Sequence, residues 1–423
     1  MPLETVAHRR QRTTVSADKL RPLRLRGARV AVDAHSALPA DLEIACGRIR
    51  NMVPRSKDGE SRLSSDGDSV EVDLSGYMLL PGLINAHDHL EFSLFPKLGS
   101  GPYSSAGEWA EDIYHPHSSP IREHLLVPKP VRLWWGGIQN LLCGVTTVCH
   151  HNEFHADIFG AEFPVRVLQR YSWSHSLRFG ADLKADFGAG DCGSPYIIHL
   201  GEGTDAAAAA EIFDLDRMGL LNERTVIVHG VALHEAGHDL LIRRGASLIW
   251  CPGSNLFMFG ATLSPQKIAR HPRAALGSDS ALTAGNLLDQ LHIAHELGLL
   301  DEQVFALVTG GAARILRLQD GEGRLCPGAI ADMIAIPDGG LSPGATLRQF
   351  EMTDVELVLL AGAPQLLSDE MTSRFPEPLC HELEAIVVSG LRRYVRAPVA
   401  YLLEEARKHL GAGLKLCGAR LGQ

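Results

Sequence analysis

The sequence predicts an α/β fold in which strands alternate with helices over a stretch long enough to close into a barrel, flanked by short strands from both chain ends. Three observations carry this. Apolar runs recur with helical stretches between them, in YMLLPGLINAH, GVTTVCHH, VRVLQRYSW, YIIHLGEG, TVIVHGVAL, ASLIWCPGSN and AALGSDSA. Strands spaced by helices of about 10–15 residues give βαβ units and a parallel sheet. The chain has 423 residues, 45% of them hydrophobic, enough for one large core and a smaller one, since domains run to about 100–200 residues and barrels to about 250. LRLRGARVAV, DLEIACGRI and SVEVDL near the start are answered by GRLCPGAIADMIAIP and DVELVLLAGAP near the end. These are short strands punctuated by glycine and proline, and the two sets can form one sheet domain.

Taken in order, residues 1–21 read as a disordered tail whose basic HRRQR carries no apolar h-region behind it. PRSKDGESRLSSDGD is a polar loop within the first strand set. Residues 80–318 hold the alternating strands and helices, with an alanine run from Ala206 to Ala210 that favours helix. After about Pro376, LCHELEAIVVSGLRRYVRAPVAYLLEEARKHL has apolar spacing near 3.6, so residues 366–423 are expected to be a helical segment for packing or oligomerisation. A homo-oligomer, taken as a dimer, is the expected assembly.

Charge and cysteine usage narrow the partners. A formal charge of −10 and a pI near 6.0 provide no basic field for phosphate backbones, which excludes nucleic acid and favours a small-molecule substrate. The eight cysteines lack C-x-x-C spacing, so neither a disulfide framework nor a structural zinc site is expected, and a reducing cytoplasm is the expected location. No apolar run reaches the roughly 18 residues of a membrane span, so no membrane partner is expected.

The chemistry-bearing residues sit at the ends of the apolar runs. In INAHDHLEF, His87 and His89 stand two apart, a spacing that turns both side chains of a strand to one face where two imidazoles can share a cation. YIIHLGEG ends a second strand in His199, with Glu202 three residues on; TVIVHG ends a third in His229; ALGSDS places Asp279 at the end of a fourth. The C-terminal ends of barrel strands are where catalytic groups belong. Three imidazoles and a carboxylate leave one position of zinc or ferrous iron open to water, whose pKa falls from about 15.7 toward 7. Glu202 is suited to carry a proton to a leaving amine, although a solvated turn acid fits the same residue.

The ordered series LLPGLINAHDH, GVTTV, HLGE, VIVHG, CPGSN, LGSDS and PGAIADMIAI resembles the amidohydrolase superfamily, in its branch of cytosine, guanine and adenosylhomocysteine deaminases and triazine hydrolases. The resemblance covers nearly the whole chain. It implies a (β/α)8-like TIM barrel over 80–318, with a composite β-sandwich built from 22–79 and 319–365. It also implies that His87, His89, His199 and Asp279 ligate one divalent metal, zinc ahead of ferrous iron. Asp279 would take a proton from the attacking water, His229 would orient it and stabilise the tetrahedral intermediate, and Glu202 would protonate the ring nitrogen or leaving group. Members with two metals use a bridging lysine, for which Lys184 in ADLKADFG is the nearby candidate; it reads as a surface loop residue. The stretch 176–195 is shorter than the superfamily's usual βα unit.

Glu91, following the metal pair, can accept hydrogen bonds from a ring or exocyclic amine, or can orient His89 instead. His150, His151, Glu153 and His155 follow the second strand, with His151 the substrate-contact candidate among them. Trp173 and His175 follow the third, where Trp173 can stack on a planar ring or pack in the core. The reaction expected is hydrolytic deamination of an amino-substituted nitrogen heterocycle. Hydrolysis of a cyclic amide, possibly binuclear, and a non-catalytic protein on the same fold are the alternatives.

Overall fold

The computed structural model describes residues 21–56, 69–179, 182–416 and 418–422. The tail expected over 1–21 lies outside these residues except for Arg21, as does most of the polar insert.

Five strands precede the central region: β1 (Leu23–Ala31), β2 (Ala37–Ala45), β3 (Arg48–Pro54), β4 (Val70–Asp73) and β5 (Tyr77–Pro81). The central region contributes β6 (Leu83–Asp88), β7 (Val145–His150), β8 (Arg166–Val167), β9 (Ser172–Ser176), β10 (Tyr196–Leu200), β11 (Thr225–His229), β12 (Ser247–Trp250) and β13 (Ala274–Leu276). Seven more follow: β14 (Met333–Pro337), β15 (Leu357–Leu360), β16 (Ala363–Leu367), β17 (Glu384–Val388), β18 (Leu391–Val395), β19 (Lys415–Leu416) and β20 (Ala419–Gly422).

The two chain ends meet in one twelve-stranded sheet, ordered β19-β20-β17-β18-β16-β15-β14-β5-β1-β2-β3 with β4 on β1. Its junction is the antiparallel pair β14 and β5, Ile334 opposite Leu80. Both strands are apolar runs buried along most of their length, so pairing them removes two hydrophobic edges from water at once.

The central strands form two parallel arrays, β6-β7-β8 and β13-β12-β11-β10-β9, bridged in parallel between Asp88 and Asp279. Ile84, Ala86, Cys149, Ile197, Val226, Val228, Ile249 and Ala275 form one buried cluster. Their intervening neighbours, among them Leu83, Ile198, Ile227, Leu248 and Leu276, join a second cluster with the helices. That alternation is the period-two signature of strands covered on both faces. Gly277 allows a close approach between the arrays, because a Cβ there would lie 2.6 Å from the His87 Cβ.

Three expectations are corrected. VRVLQRYSW is two strands, β8 and β9, rather than one, because the chain bends between Leu168 and Tyr171. Across 176–195 the connection holds a seven-residue helix, Leu183–Ala189, capped by Asp182 accepting from the Ala185 amide; LKADFG is therefore helical, and Lys184 is exposed on it. Residues 366–423 are not uniformly helical. Val399–Leu410 is a helix, but EAIVV and LRRYV pair as the hairpin β17–β18. Ser389 and Gly390 turn it with φ of 50° and 86°, the left-handed pair that two-residue hairpins require, and Ile386, Val387, Val388 and Val395 favour strand through their β-branched side chains.

No described helix is long and apolar enough to cross a membrane.

Candidate metal and catalytic site

Backbone irregularities aim the strand-end side chains. In β6 the residues Ile84 and Ala86 face the inner cluster, so strict alternation would turn His87 away from it. A register irregularity against β7 between Asn85 and Asp88 breaks the alternation, as bulges beside functional sites do. In β11, Val226 and Val228 face inward, yet His229 follows them into the site because its φ of 72° ends the strand. Asp279 has φ of 65°. A left-handed backbone costs a non-glycine residue about 1–2 kcal/mol, and here the cost falls at two candidate catalytic positions.

His87, His89, His199 and Asp279 converge. His199 Nε2 lies 3.3 Å from His87 Nε2 and 3.4 Å from His89 Nε2, and Asp279 Oδ1 lies 3.4 Å from His87 Nε2 and 3.7 Å from His89 Nε2. Four donors about 2.0–2.1 Å from a zinc ion stand roughly 3.3–3.4 Å apart along a tetrahedral edge, so these residues fit a divalent cation. Among the described residues, two groups have metal-binding geometry: His87, His89, His151 and His199; and His87, His199, His229 and Asp279.

The surroundings fix each donor. His199 Nδ1 is 2.8 Å from the His175 carbonyl oxygen, an acceptor only, so Nδ1 carries the proton and Nε2 presents its lone pair. Asp279 Oδ2 accepts from Ser254 Oγ and, at 3.0 Å, from Thr283 Oγ1, leaving Oδ1 toward the histidines. Burial opposes the Asp279 charge, but the contact with His87 and the field of His229 hold its carboxyl well below the usual range. Burial lowers the pKa of His87, His89 and His199 and favours their neutral, ligating form.

Glu202 and His229 form the second part of the site. Glu202 Oε1 lies 3.5 Å from His229 Nε2, and burial raises the Glu202 carboxyl to about 7 against the opposing pull of His229. His229 Nδ1 is 2.9 Å from Asn255 Oδ1, whose amide nitrogen donates to Thr262 Oγ1 at 3.0 Å. The segment Tyr103–Ala106 lies across this turn: the Ala106 amide donates to the Glu202 carbonyl at 3.0 Å, and Ser105 bridges Gly203.

A buried polar knot ties β6 to the approach of Asp279. Asn85 Nδ2 donates to Ser278 Oγ at 2.8 Å, Asn85 Oδ1 accepts from the Ser278 amide at 3.0 Å, and Asn140 Nδ2 donates to Asp88 Oδ2 at 2.8 Å. Burial raises the Asp88 carboxyl to about 7.

The remaining sequence candidates divide. Glu91 is buried and accepts from Asn152 Nδ2 at 2.6 Å, with Oε2 3.7 Å from His150 Nε2, so His150, not His89, is its imidazole neighbour. His151 is buried among the metal-site histidines. Trp173 packs against the inner cluster and edge-on to His151 at 5.7 Å. Glu153 is exposed. Lys184 is exposed on its helix. Sequence alone assigns no role to Ser254 and Asn255 of CPGSN, nor to Asn85, Asn140 and Ser278; small polar residues next to strand-end histidines are the available signal.

The amidohydrolase family model matches residues 189–362. A curated relative from Nitratidesulfovibrio vulgaris strain Miyazaki F, named 5-methylthioadenosine/S-adenosylhomocysteine deaminase, is 30% identical over 360 residues, covering 70% of this chain and 78% of the relative. A relative of the same name from Syntrophobacter fumaroxidans is 24% identical, covering 70% and 80%. Among solved structures, a zinc-bound adenosine deaminase from Xanthomonas campestris superposes with a TM-score of 0.66 at 20% identity, covering 91% of this chain and 97% of that one. A triazine hydrolase from Arthrobacter aurescens gives 0.68 at 18% identity, covering 92% and 99%.

Proposed function

The chain belongs to the amidohydrolase family, and from that premise we propose that it hydrolytically deaminates an amino-substituted nitrogen heterocycle, an adenine-type nucleoside in particular. The observation that carries the proposal is the convergence of His87, His89, His199 and Asp279 beside the Glu202 and His229 pair. The adenine class is supported by the relative from N. vulgaris, a 5-methylthioadenosine/S-adenosylhomocysteine deaminase by name. The alternation of the inner cluster and the Asp88 to Asp279 bridge support reading the parallel arrays as one (β/α)8-like barrel over 80–318. The joined sheet supports a composite β-sandwich from 22–79 and 319–365.

His87, His89, His199 and Asp279 would hold one divalent ion, and a donor set rich in imidazole favours zinc, with ferrous iron second. When bound, the ion acidifies a water so that it can add to a ring carbon at neutral pH. Asp279, anionic and fixed through Oδ2 by Ser254 and Thr283, accepts a proton from that water through Oδ1. His229, with its tautomer set by Asn255, presents Nε2 toward Glu202 and orients the attacking oxygen. Glu202, whose carboxyl burial raises to about 7 so that a substantial fraction stays protonated near neutrality, donates to the ring nitrogen as the tetrahedral carbon forms. Asp279 would return its proton to the exocyclic nitrogen, so that the C–N bond breaks and ammonia leaves, and the hydroxyl proton would pass to Glu202 as the ring carbonyl forms.

Ammonia release across adenosine-type nucleosides, aminopyrimidines, aminotriazines and cyclic amides tests this reading. Release from an adenine nucleoside, lost in Glu202→Gln, is the expected result. Cyclic-amide opening with no ammonia from any amino-heterocycle would overturn it.

A further inference from the structure

His151 follows β7 directly, and its amide donates to the Asp88 carbonyl at 3.0 Å, between His87 and His89 in sequence. The side chain is 1% exposed. Its ring centroid lies 4.2 Å from that of His199, 5.0 Å from His87 and 5.8 Å from His89, nearly parallel to the last. Its potential ligand atom lies within 4.8 Å of those of all three.

The orientation of the ring is fixed from behind. His151 Nε2 stands 3.1 Å from the Ser174 carbonyl oxygen, which can only accept, so Nε2 carries the proton. Nδ1 is thereby left as a bare lone pair, and it is buried with no hydrogen-bond partner among the described residues. An acceptor buried without a partner is destabilising unless something binds it. The neighbouring rings offer it little relief, because His199 spends its Nδ1 proton on the His175 carbonyl. This is the same arrangement that prepares His199 as a donor, with a carbonyl holding one nitrogen and the other facing the cluster.

We infer that His151 Nδ1 is a further ligand of the metal centre, giving His87, His89, His151 and His199 as a four-imidazole face with Asp279 beside it. The inference rests on the metal-dependent reading above and reassigns a residue that sequence alone made a substrate contact. A centre with one more imidazole than the three-histidine, one-carboxylate set discriminates more strongly in favour of nitrogen-seeking ions and against Mg2+ and Mn2+. The ligand atoms of the four histidines lie within 4.8 Å of one another, against the about 4.2 Å that separates donors on opposite sides of an ion at bond lengths near 2.1 Å.

The test uses the full chain stripped of metal and titrated with Co2+ and Zn2+ against a competing chelator, with the Co2+ visible spectrum recorded. Two variants separate ligation from packing. His151→Gln keeps a donor for the Ser174 carbonyl but removes the nitrogen that faces the cluster; His151→Asn places an oxygen near the Nδ1 position. Expected are a loss of affinity of about tenfold or more and a changed Co2+ spectrum in His151→Gln, with His151→Asn intermediate. Unchanged affinity and spectrum in both variants, with only KM raised, would make His151 a substrate contact and overturn the inference. Wild-type protein that binds neither ion overturns the inference together with the functional reading; metal bound equally by wild type and variants overturns the inference alone.

Discussion

His229 Nε2 stands 3.5 Å from Glu202 Oε1, while its Nδ1 is held 2.9 Å from the Asn255 amide oxygen. One imidazole thus faces a carboxyl whose burial keeps it protonated near neutrality and is locked in one tautomer from the other side. Removing the lock without touching either catalytic group isolates its contribution. Asn255→Ala is expected to lower kcat by about 10–100-fold, the range for lost partners of functional histidines, with metal content unchanged. Steady-state kinetics beside metal analysis checks it; unchanged kcat would remove Asn255 from the account.

Glu202 is expected to set the alkaline limb of activity. Its carboxyl, raised to about 7 by burial, is the proton donor only while protonated, so kcat/KM should fall as pH rises past that value. Glu202→Gln keeps the shape without the acid and is expected to lose about 10²–10⁴-fold in kcat while retaining metal. A pH profile of wild type that stays flat to pH 9 would speak against the assignment.

The polar knot around Asn85 predicts a stability effect. Asn140→Ala removes the donor that reaches Asp88 Oδ2 at 2.8 Å and leaves buried polar atoms unmatched, which costs about 1–3 kcal/mol. Because the knot also holds Ser278, next to Asp279, metal should dissociate faster as well. Denaturant midpoints and metal-release rates report both; a variant as stable as wild type would show the knot to be dispensable.

His271 predicts a pH effect far from chemistry. It is 5% exposed, and burial lowers its pKa from 6.5 to about 4. The fold therefore holds it neutral while the unfolded chain takes up a proton below pH 6.5. Its contribution is fully present above pH 6.5 and is lost as pH falls through the window to about 4, amounting to about 3 kcal/mol at most. His271→Asn, which keeps an acceptor for the Arg273 amide, should flatten stability against pH in that window. Parallel slopes for wild type and variant would contradict this.

That the histidines and Asp279 come together is legible in the sequence because each closes an apolar run, and a run that ends in a polar residue is visible without any structure. Alternation alone would have turned His87 and His229 the wrong way; a bulge at Asn85–Asp88 and a positive φ at His229 bring them in, and neither leaves a mark in the sequence. Ser254 and Asn255 open a helix, where such residues usually serve as caps, so their contacts to Asp279 and His229 were hidden. EAIVVSGLRRYV was misread because its apolar residues fit helical spacing as well as alternation, and only the Ser389–Gly390 turn separates the two.

The central claim is that His87, His89, His199 and Asp279 hold the ion on which deamination depends. Its most direct measurement is metal content by plasma mass spectrometry alongside ammonia release from an adenine nucleoside, for wild type, chelator-stripped and reconstituted protein, and Asp279→Asn. The account expects about one equivalent of zinc or iron, activity lost on stripping and recovered on reconstitution, and none in Asp279→Asn. Undiminished turnover by stripped protein, or by Asp279→Asn, would contradict it.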